Sequence, residues 1–129
     1  MQITLVLMAV LHVLSGVFWA GSTFALARTG NGMAQRLFRP QMGAAVIAVV
    51  TGGSLWFLLH RGVAGTTEHV LALGAVCAIL AAGVQGAFVA RSLRQPAGAT
   101  DAARLIIAER TAAALLAVTV ICMAAARYV

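Results

Sequence analysis

Four long apolar runs without an acidic or basic residue other than histidine occupy most of this chain of 129 residues. The hydrocarbon core of a bilayer is about 30 Å thick, which a helix of roughly 20 apolar residues spans. Each run is therefore predicted to form a transmembrane helix, and the expected fold class is an all-α integral membrane protein. The predicted helices cover approximately residues 3–27, 41–59, 69–91 and 103–126.

The connections between these helices are too short to hold a second domain, so residues 1–129 are predicted to form one domain. Short connections also favour an up-down-up-down, antiparallel four-helix bundle. Hydrophobic residues make up 62% of the chain and charged residues 9%, which is outside the usual range of soluble proteins. Any chemistry must therefore lie inside the bundle or at its rim.

The net charge of +6 comes from arginines that cluster at two of the three connections. The positive-inside rule places such connections in the cytoplasm. The prediction is an integral protein of the bacterial inner membrane with both termini extracytoplasmic, a lipid bilayer as its surroundings and no nucleic-acid partner. Those connections and their flanks carry Arg28, Arg36, Arg39, Arg91, Arg94, Arg104 and Arg110, whereas Arg61 and Arg127 lie on the other side.

His12 is an ionisable residue within the first apolar run. Such a residue is expensive in a bilayer and is a functional candidate by default. The face that follows it is small and polar, so it is expected to look into the bundle. We favour a cofactor or metal ligand at His12; a histidine bonded to a neighbouring hydroxyl or carbonyl is the alternative. The same space is predicted to be lined by Ser15, Trp19 and Trp56, with Ser22 and Thr23 further along the face.

Counting helical rise of about 1.5 Å per residue from the arginines places most histidine and sulfur side chains in the extracytoplasmic half of the membrane. Imidazole, thiolate and thioether suit Cu(I), and imidazole also suits haem iron. Met8 and His12, at i and i+4, share one face of the first helix. Solvated histidines at helix ends and buried, apolar cysteines are the alternatives for the others. The band comprises Met8, His12, His60, His69, Cys77, Cys122 and Met123.

Two polar residues lie nearer the cytoplasmic side. Gln85 is expected to make an interhelical hydrogen bond. For Glu109 we favour an ion pair with Arg91, Arg94 or Arg110, with a proton-handling role as the alternative. Many glycines and alanines in the second and third helices predict close helix packing or a dimer face, or else room for a flat cofactor.

The first helix carries His12, Trp19 and Gly21 as H-x6-W-x-G, and it resembles the opening helix of the copper resistance D (CopD-like) membrane family. Arg36-Leu-Phe-Arg39 before a helix with Thr51-Gly52 and Arg91-Ser-Leu-Arg94 at the end of the third helix extend the resemblance, as does a fourth helix that opens with an arginine and Glu109. A weaker similarity links the His-to-Trp pattern to HemJ-type protoporphyrinogen oxidases, small membrane proteins thought to bind haem b.

The copper family implies transport or delivery of copper at the inner membrane, with His12 as a ligand; Met8, Cys122, Met123 and His69 are the further candidates from this sequence. The HemJ-like similarity implies haem b held by a histidine and a lysine. The chain has no lysine, so His60 or His69 would serve as the second haem ligand and the oxidase activity is in doubt. A third hypothesis is a non-catalytic subunit of a larger complex. A homodimer or a partner membrane subunit is compatible with each, and no catalytic residue is assigned.

Overall fold

The computed structural model describes residues 1–29, 34–60, 62, 65–95 and 102–129. They form four helices: α1 (Gln2–Thr29), α2 (Ala34–Leu59), α3 (Thr66–Arg94) and α4 (Ala102–Ala125). The described part of the chain has no strand. The all-α four-helix bundle predicted from the apolar runs is therefore confirmed.

The helices form a ring in which sequence neighbours are also neighbours in space. The α1–α2 and α3–α4 pairs pack most extensively, α1 packs against α4, and the α2–α3 contact is the smallest. Diagonal pairs make no backbone approach within the described residues. Only side chains can therefore link α1 to α3, or α2 to α4, across the centre of the bundle.

The bundle is built for apolar surroundings, because its large hydrophobic side chains point outward. Leu14, Val17 and Ile121 are each more than 60% exposed, whereas large apolar patches on soluble proteins are rare. All four helices are long and apolar enough to cross a membrane. The interior is filled mainly by small residues, and its core consists of Trp19, Ala44, Ala45, Ala48, Ala81, Ala112 and Leu116.

Close helix approach accounts for some of the small residues. A Cβ atom added at Gly74 of α3 would lie 3.0 Å from the Cβ of Cys122 on α4. The hydroxyl of Thr119 donates to the carbonyl oxygen of Gly74 over 3.0 Å. Tight packing, one of the two uses expected for the small residues, is therefore what Gly74 provides.

Two helix starts differ from the sequence-based expectation. α2 begins at Ala34, seven residues before the predicted start at residue 41, so Pro40 lies inside the helix. Proline has no N–H and cannot bond the carbonyl of Arg36, four residues earlier; this happens near the arginine-rich end of the helix, where an unpaired carbonyl can meet water. α3 is capped by Gly65, whose N–H donates to Glu68 Oε2 over 2.7 Å.

Candidate functional site

His12 of α1 faces the second half of α2, where Ala48, Thr51 and Gly52 contact it. Its Nδ1 is 2.8 Å from the carbonyl oxygen of Ala48 and 3.2 Å from Oγ1 of Thr51. The side chain is partly buried. The imidazole is therefore anchored to α2 through one ring nitrogen.

The hydrogen-bond partners of His12 fix which nitrogen carries the proton. A carbonyl oxygen can only accept, so Nδ1 must be the donor. The hydroxyl of Thr51 donates to the carbonyl of Ile47 over 2.6 Å, which leaves its lone pair to face Nδ1. The neutral ring then keeps its other lone pair on Nε2. Histidines that bind metals characteristically donate one ring N–H to a carbonyl in this way and ligate through the other nitrogen.

Gly52 of α2 makes room for this ring. A Cβ atom added at Gly52 would lie 2.8 Å from Cε1 and 3.2 Å from Nδ1 of His12. These separations are too short for nonbonded atoms, so any larger residue must displace the imidazole. Thr51 therefore accepts a hydrogen bond from His12, and Gly52 leaves space for its ring.

Replacing Gly52 with alanine is expected to lower the free energy of unfolding by about 1–3 kcal/mol, the usual range for overpacking. Gly43→Ala is the matched control on α2, because a Cβ atom there meets nothing within 4 Å. Chemical or thermal unfolding of the detergent-solubilised protein measures both. Equal stability of the two variants would show that the ring does not occupy the position described.

An open groove borders the His12 site on the outer surface of α1 and α2. It has a volume of about 570 Å³ and is lined mainly by apolar atoms. Met8, one turn from His12 on α1, belongs to it. The other lining residues all come from α2 and are Val49, Val50, Gly53, Ser54, Phe57 and Leu58. Met8 and His12 are therefore neighbours through their i and i+4 positions on α1, and Met8 is the one of the two that lines the groove.

The other sulfur residues lie elsewhere. Cys122 is buried where α4 packs on Gly74 of α3, and Met123 is 42% exposed on the surface of α4. Cys77 is partly buried on α3 and, like Cys122, is a free thiol. The described residues contain no group of three or more histidine, cysteine or acidic side chains that could hold a metal. The side chains of the predicted band therefore lie on both helix pairs, α1–α2 and α3–α4.

His60 and His69 also stand apart from His12. His12 contacts Gly52, and His60 follows Gly52 by eight residues, or about 12 Å of helix. His60 stacks on Trp56, with ring centroids 5.0 Å apart. His69 bonds the carbonyl of Gly65 in the first turn of α3, over 2.7 Å. His60, just past the end of α2, is therefore too far along the helix axis to share one metal ion with His12 within a single chain, and His69 is bonded within its own helix start.

Ser15 and Trp19 lie on the buried face of α1, with Ser22, Thr23 and Leu26, which confirms that this face looks into the bundle. The hydroxyl of Ser15 donates to the carbonyl of Leu11 over 2.7 Å. The indole Nε1 of Trp19 donates to Gln85 Oε1 over 2.7 Å. Trp19 is thus held about 10 Å along α1 from His12, too far to wall its site.

Trp19 is part of a second arrangement, which we call the polar layer: Trp19 and Thr23 of α1, Gln41 of α2, Gln85 of α3 and Glu109 of α4. Gln85 Nε2 donates to Thr23 Oγ1 over 3.0 Å and to Glu109 Oε2 over 3.1 Å. Gln41 Nε2 donates to Thr23 Oγ1 over 2.7 Å and approaches Glu109 Oε2 at 3.5 Å. The layer therefore ties all four helices together, including the diagonal pairs that make no backbone contact.

Gln41 is completely buried, although it is not among the residues predicted to form a site. It stands one residue after Pro40, at the predicted start of a helix, where a polar residue is ordinary. Its position in the sequence could have identified it, because Gln41 lies at a depth similar to that of Glu109 when both are counted from the arginine-rich end. Gln85 makes the interhelical hydrogen bonds expected of it.

Glu109 is bound differently from the expectation. An ion pair with Arg91, Arg94 or Arg110 was favoured, but among the described residues the hydrogen-bond partners of its carboxylate are the amides of Gln41 and Gln85. Arg110 instead points its Nε at the carbonyl of Ala27, 3.5 Å away. The carboxylate is 4% exposed, because residue 109 faces the bundle axis whereas residue 110 faces outward.

The chain matches no family model, no curated protein and no solved structure. The resemblance to the copper resistance D and HemJ-type families therefore stays a prediction carried by the motifs themselves.

Proposed function

We propose that this protein handles copper in the bacterial inner membrane, with Cu(I) bound by Nε2 of His12 and the thioether of Met8. The observation that carries the proposal is the hydrogen bond from His12 Nδ1 to the carbonyl of Ala48. It holds the ring in the tautomer whose free nitrogen can ligate a metal.

The donor set suits Cu(I) better than other metals. A thioether is a soft ligand that selects Cu(I), and imidazole binds copper as well. Two ligands from one chain make an exposed, weak site, as delivery or transfer of an ion requires. A second copy that packed by the same α1–α2 face would add another His12 and Met8 and complete a four-ligand site; a homodimer is one of the two assemblies that the sequence leaves open.

A competition titration of Cu(I) against a chromophoric chelator tests the proposal. The wild-type chain is expected to bind close to one equivalent, or half an equivalent if two chains share the ion. Met8→Leu is expected to weaken binding at least about tenfold, a loss of about 1.4 kcal/mol. Met123→Leu is the matched control, because its side chain lies on the surface of α4. No Cu(I) binding by the wild type, or equal effects of the two variants, would contradict the site.

Haem b is the second candidate, favoured by the apolar groove of about 570 Å³ beside His12. The alanine-filled core argues for a position in this groove, outside the bundle. His12 would supply one axial nitrogen, and the iron would supply one-electron transfer to a membrane partner. An absorption spectrum of the purified protein separates the candidates: a Soret band that disappears in His12→Ala supports haem, and a colourless protein excludes it.

The proposed orientation rests on charge. Arg28, Arg36, Arg39, Arg91, Arg94, Arg104 and Arg110 belong to helix ends that the antiparallel order brings to one side of the bundle, and this side is assigned to the cytoplasm. Arg61 lies outside the described residues. The His12 site is then in the extracytoplasmic half, open to lipid or to a partner subunit.

A further inference from the structure

The polar layer contains a carboxyl group that the copper site does not use. Glu109 is almost completely buried, and its carboxylate is approached by the amides of Gln41 from α2 and Gln85 from α3. Thr23 of α1 accepts hydrogen bonds from the same two amides. It lies seven residues inside α4, or about 10 Å from the start of the helix. Polar and ionisable groups at such depth are expensive and usually functional.

Among the described residues, the groups that bond Glu109 are neutral: the amides of Gln41 on α2 and Gln85 on α3. Thr23 of α1 bonds both amides and Trp19 bonds Gln85. The other described charged side chains at this end of the bundle are exposed, and they are Arg28, Arg36, Arg39, Arg91, Arg94, Arg104 and Arg110. The hydrogen bonds of the carboxyl group therefore come from amides. A buried carboxylate without a positively charged partner is costly, and binding a proton removes its charge.

A second observation also points to protonation of Glu109. Gln41 Oε1 is buried and has no hydrogen-bond partner in the described part of the chain. An ionised carboxylate only accepts hydrogen bonds, whereas a protonated carboxyl group also donates one. Gln85 Oε1 already accepts one hydrogen bond, from Trp19 over 2.7 Å, whereas Gln41 Oε1 accepts none from the described residues. Gln41 is the side chain with a free acceptor next to Glu109.

We propose that Glu109 is a reversible proton-binding site on the axis of the bundle, near its arginine-rich end. Gln41 Oε1 accepts the hydrogen bond of the protonated form of Glu109. In the ionised form the amides of Gln41 and Gln85 donate to the carboxylate. Protonation forms one O–H bond on Glu109, with the proton taken from water at the arginine-rich end and returned there on release. Two amides suit both states, since an amide can donate to a carboxylate and accept from a carboxylic acid.

Infrared difference spectroscopy of the purified chain in lipid, recorded as the pH is changed, tests this proposal. The wild type is expected to show a carboxylic-acid C=O band that converts to carboxylate bands over the titration. The band should be lost in Glu109→Gln, which keeps the size and the hydrogen-bonding capacity of the side chain. It should persist in Glu68→Gln, the control at the opposite end of the bundle.

Gln41→Leu supplies an independent readout that does not require Glu109 to be changed. The acid band is expected to move to higher frequency, because its O–H loses the acceptor. A wild-type protein whose titrating bands are the same as those of Glu109→Gln would overturn the proton site. An acid band that is unaltered by Gln41→Leu would overturn the assignment of Gln41 as the acceptor. Circular dichroism verifies that each variant is helical.

Discussion

Replacing His12 with alanine is expected to abolish Cu(I) binding, because the proposed site has only one other ligand in the chain. The loss should exceed that of Met8→Leu, since a lone thioether on a lipid-facing surface holds copper only weakly. The bundle should remain folded: the ring makes its hydrogen bonds to Ala48 and Thr51 through a single nitrogen. Their removal costs about 0.5–1.5 kcal/mol of unfolding free energy. Chelator competition and a thermal unfolding curve measure the two effects.

The control for this prediction is His69→Ala. His69 is exposed and bonds the carbonyl of Gly65 within its own helix start, so its loss should leave copper affinity unchanged. If His69→Ala removed binding and His12→Ala did not, the metal would lie at the end of the bundle near the termini. The proposal for the α1–α2 site would then be wrong.

Replacing Gln85 with leucine is expected to give the largest loss of stability, because this side chain links α3 to both α1 and α4. It breaks three hydrogen bonds, to Trp19, Thr23 and Glu109. Interhelical bonds in membranes average about 0.6 kcal/mol and reach about 1.7 kcal/mol. The expected loss is therefore about 2–4 kcal/mol in the free energy of unfolding, the upper part of the range reflecting a buried indole N–H and a carboxylate left without this partner.

Thr111→Val is the matched control for Gln85→Leu, because the hydroxyl of Thr111 bonds the carbonyl of Ile107 within α4 and is exposed. It should change stability by no more than about 0.5 kcal/mol. Trp19→Phe combined with Gln85→Leu should be less destabilising than the sum of the single variants, since the double variant has no unpaired indole N–H. Additive effects would show that the Trp19–Gln85 bond contributes nothing to stability.

The fold followed from the sequence because the bilayer imposes few solutions. Charge-free apolar runs must be helical, since every backbone group needs an internal partner in lipid. Short connections then order the helices. The predicted start of α2 at residue 41 was seven residues too late, because a proline near the end of a membrane helix is tolerated when the freed carbonyl can meet water.

The candidate site was only partly predictable. His12 and the buried polar face of α1 could be identified, because an ionisable residue and a run of small polar residues have no place facing lipid. The spacing along each helix also predicted a depth for each sulfur residue. Depth carries no information about rotation around the bundle, however, and this is why Cys122 and Met8 share a predicted band but occupy different helix interfaces.

The sequence by itself determined four membrane helices, their order and the exceptional position of His12, because hydrophobicity and helical rise depend on composition and spacing alone. Only the tertiary structure decided which side chains meet. It placed Gly52 against the ring of His12, separated the other predicted ligands, and joined Gln41, Gln85 and Glu109 from three helices. The physical reason is that such contacts depend on how each helix is rotated about its axis, and that rotation is set by the close packing of small residues between all four helices.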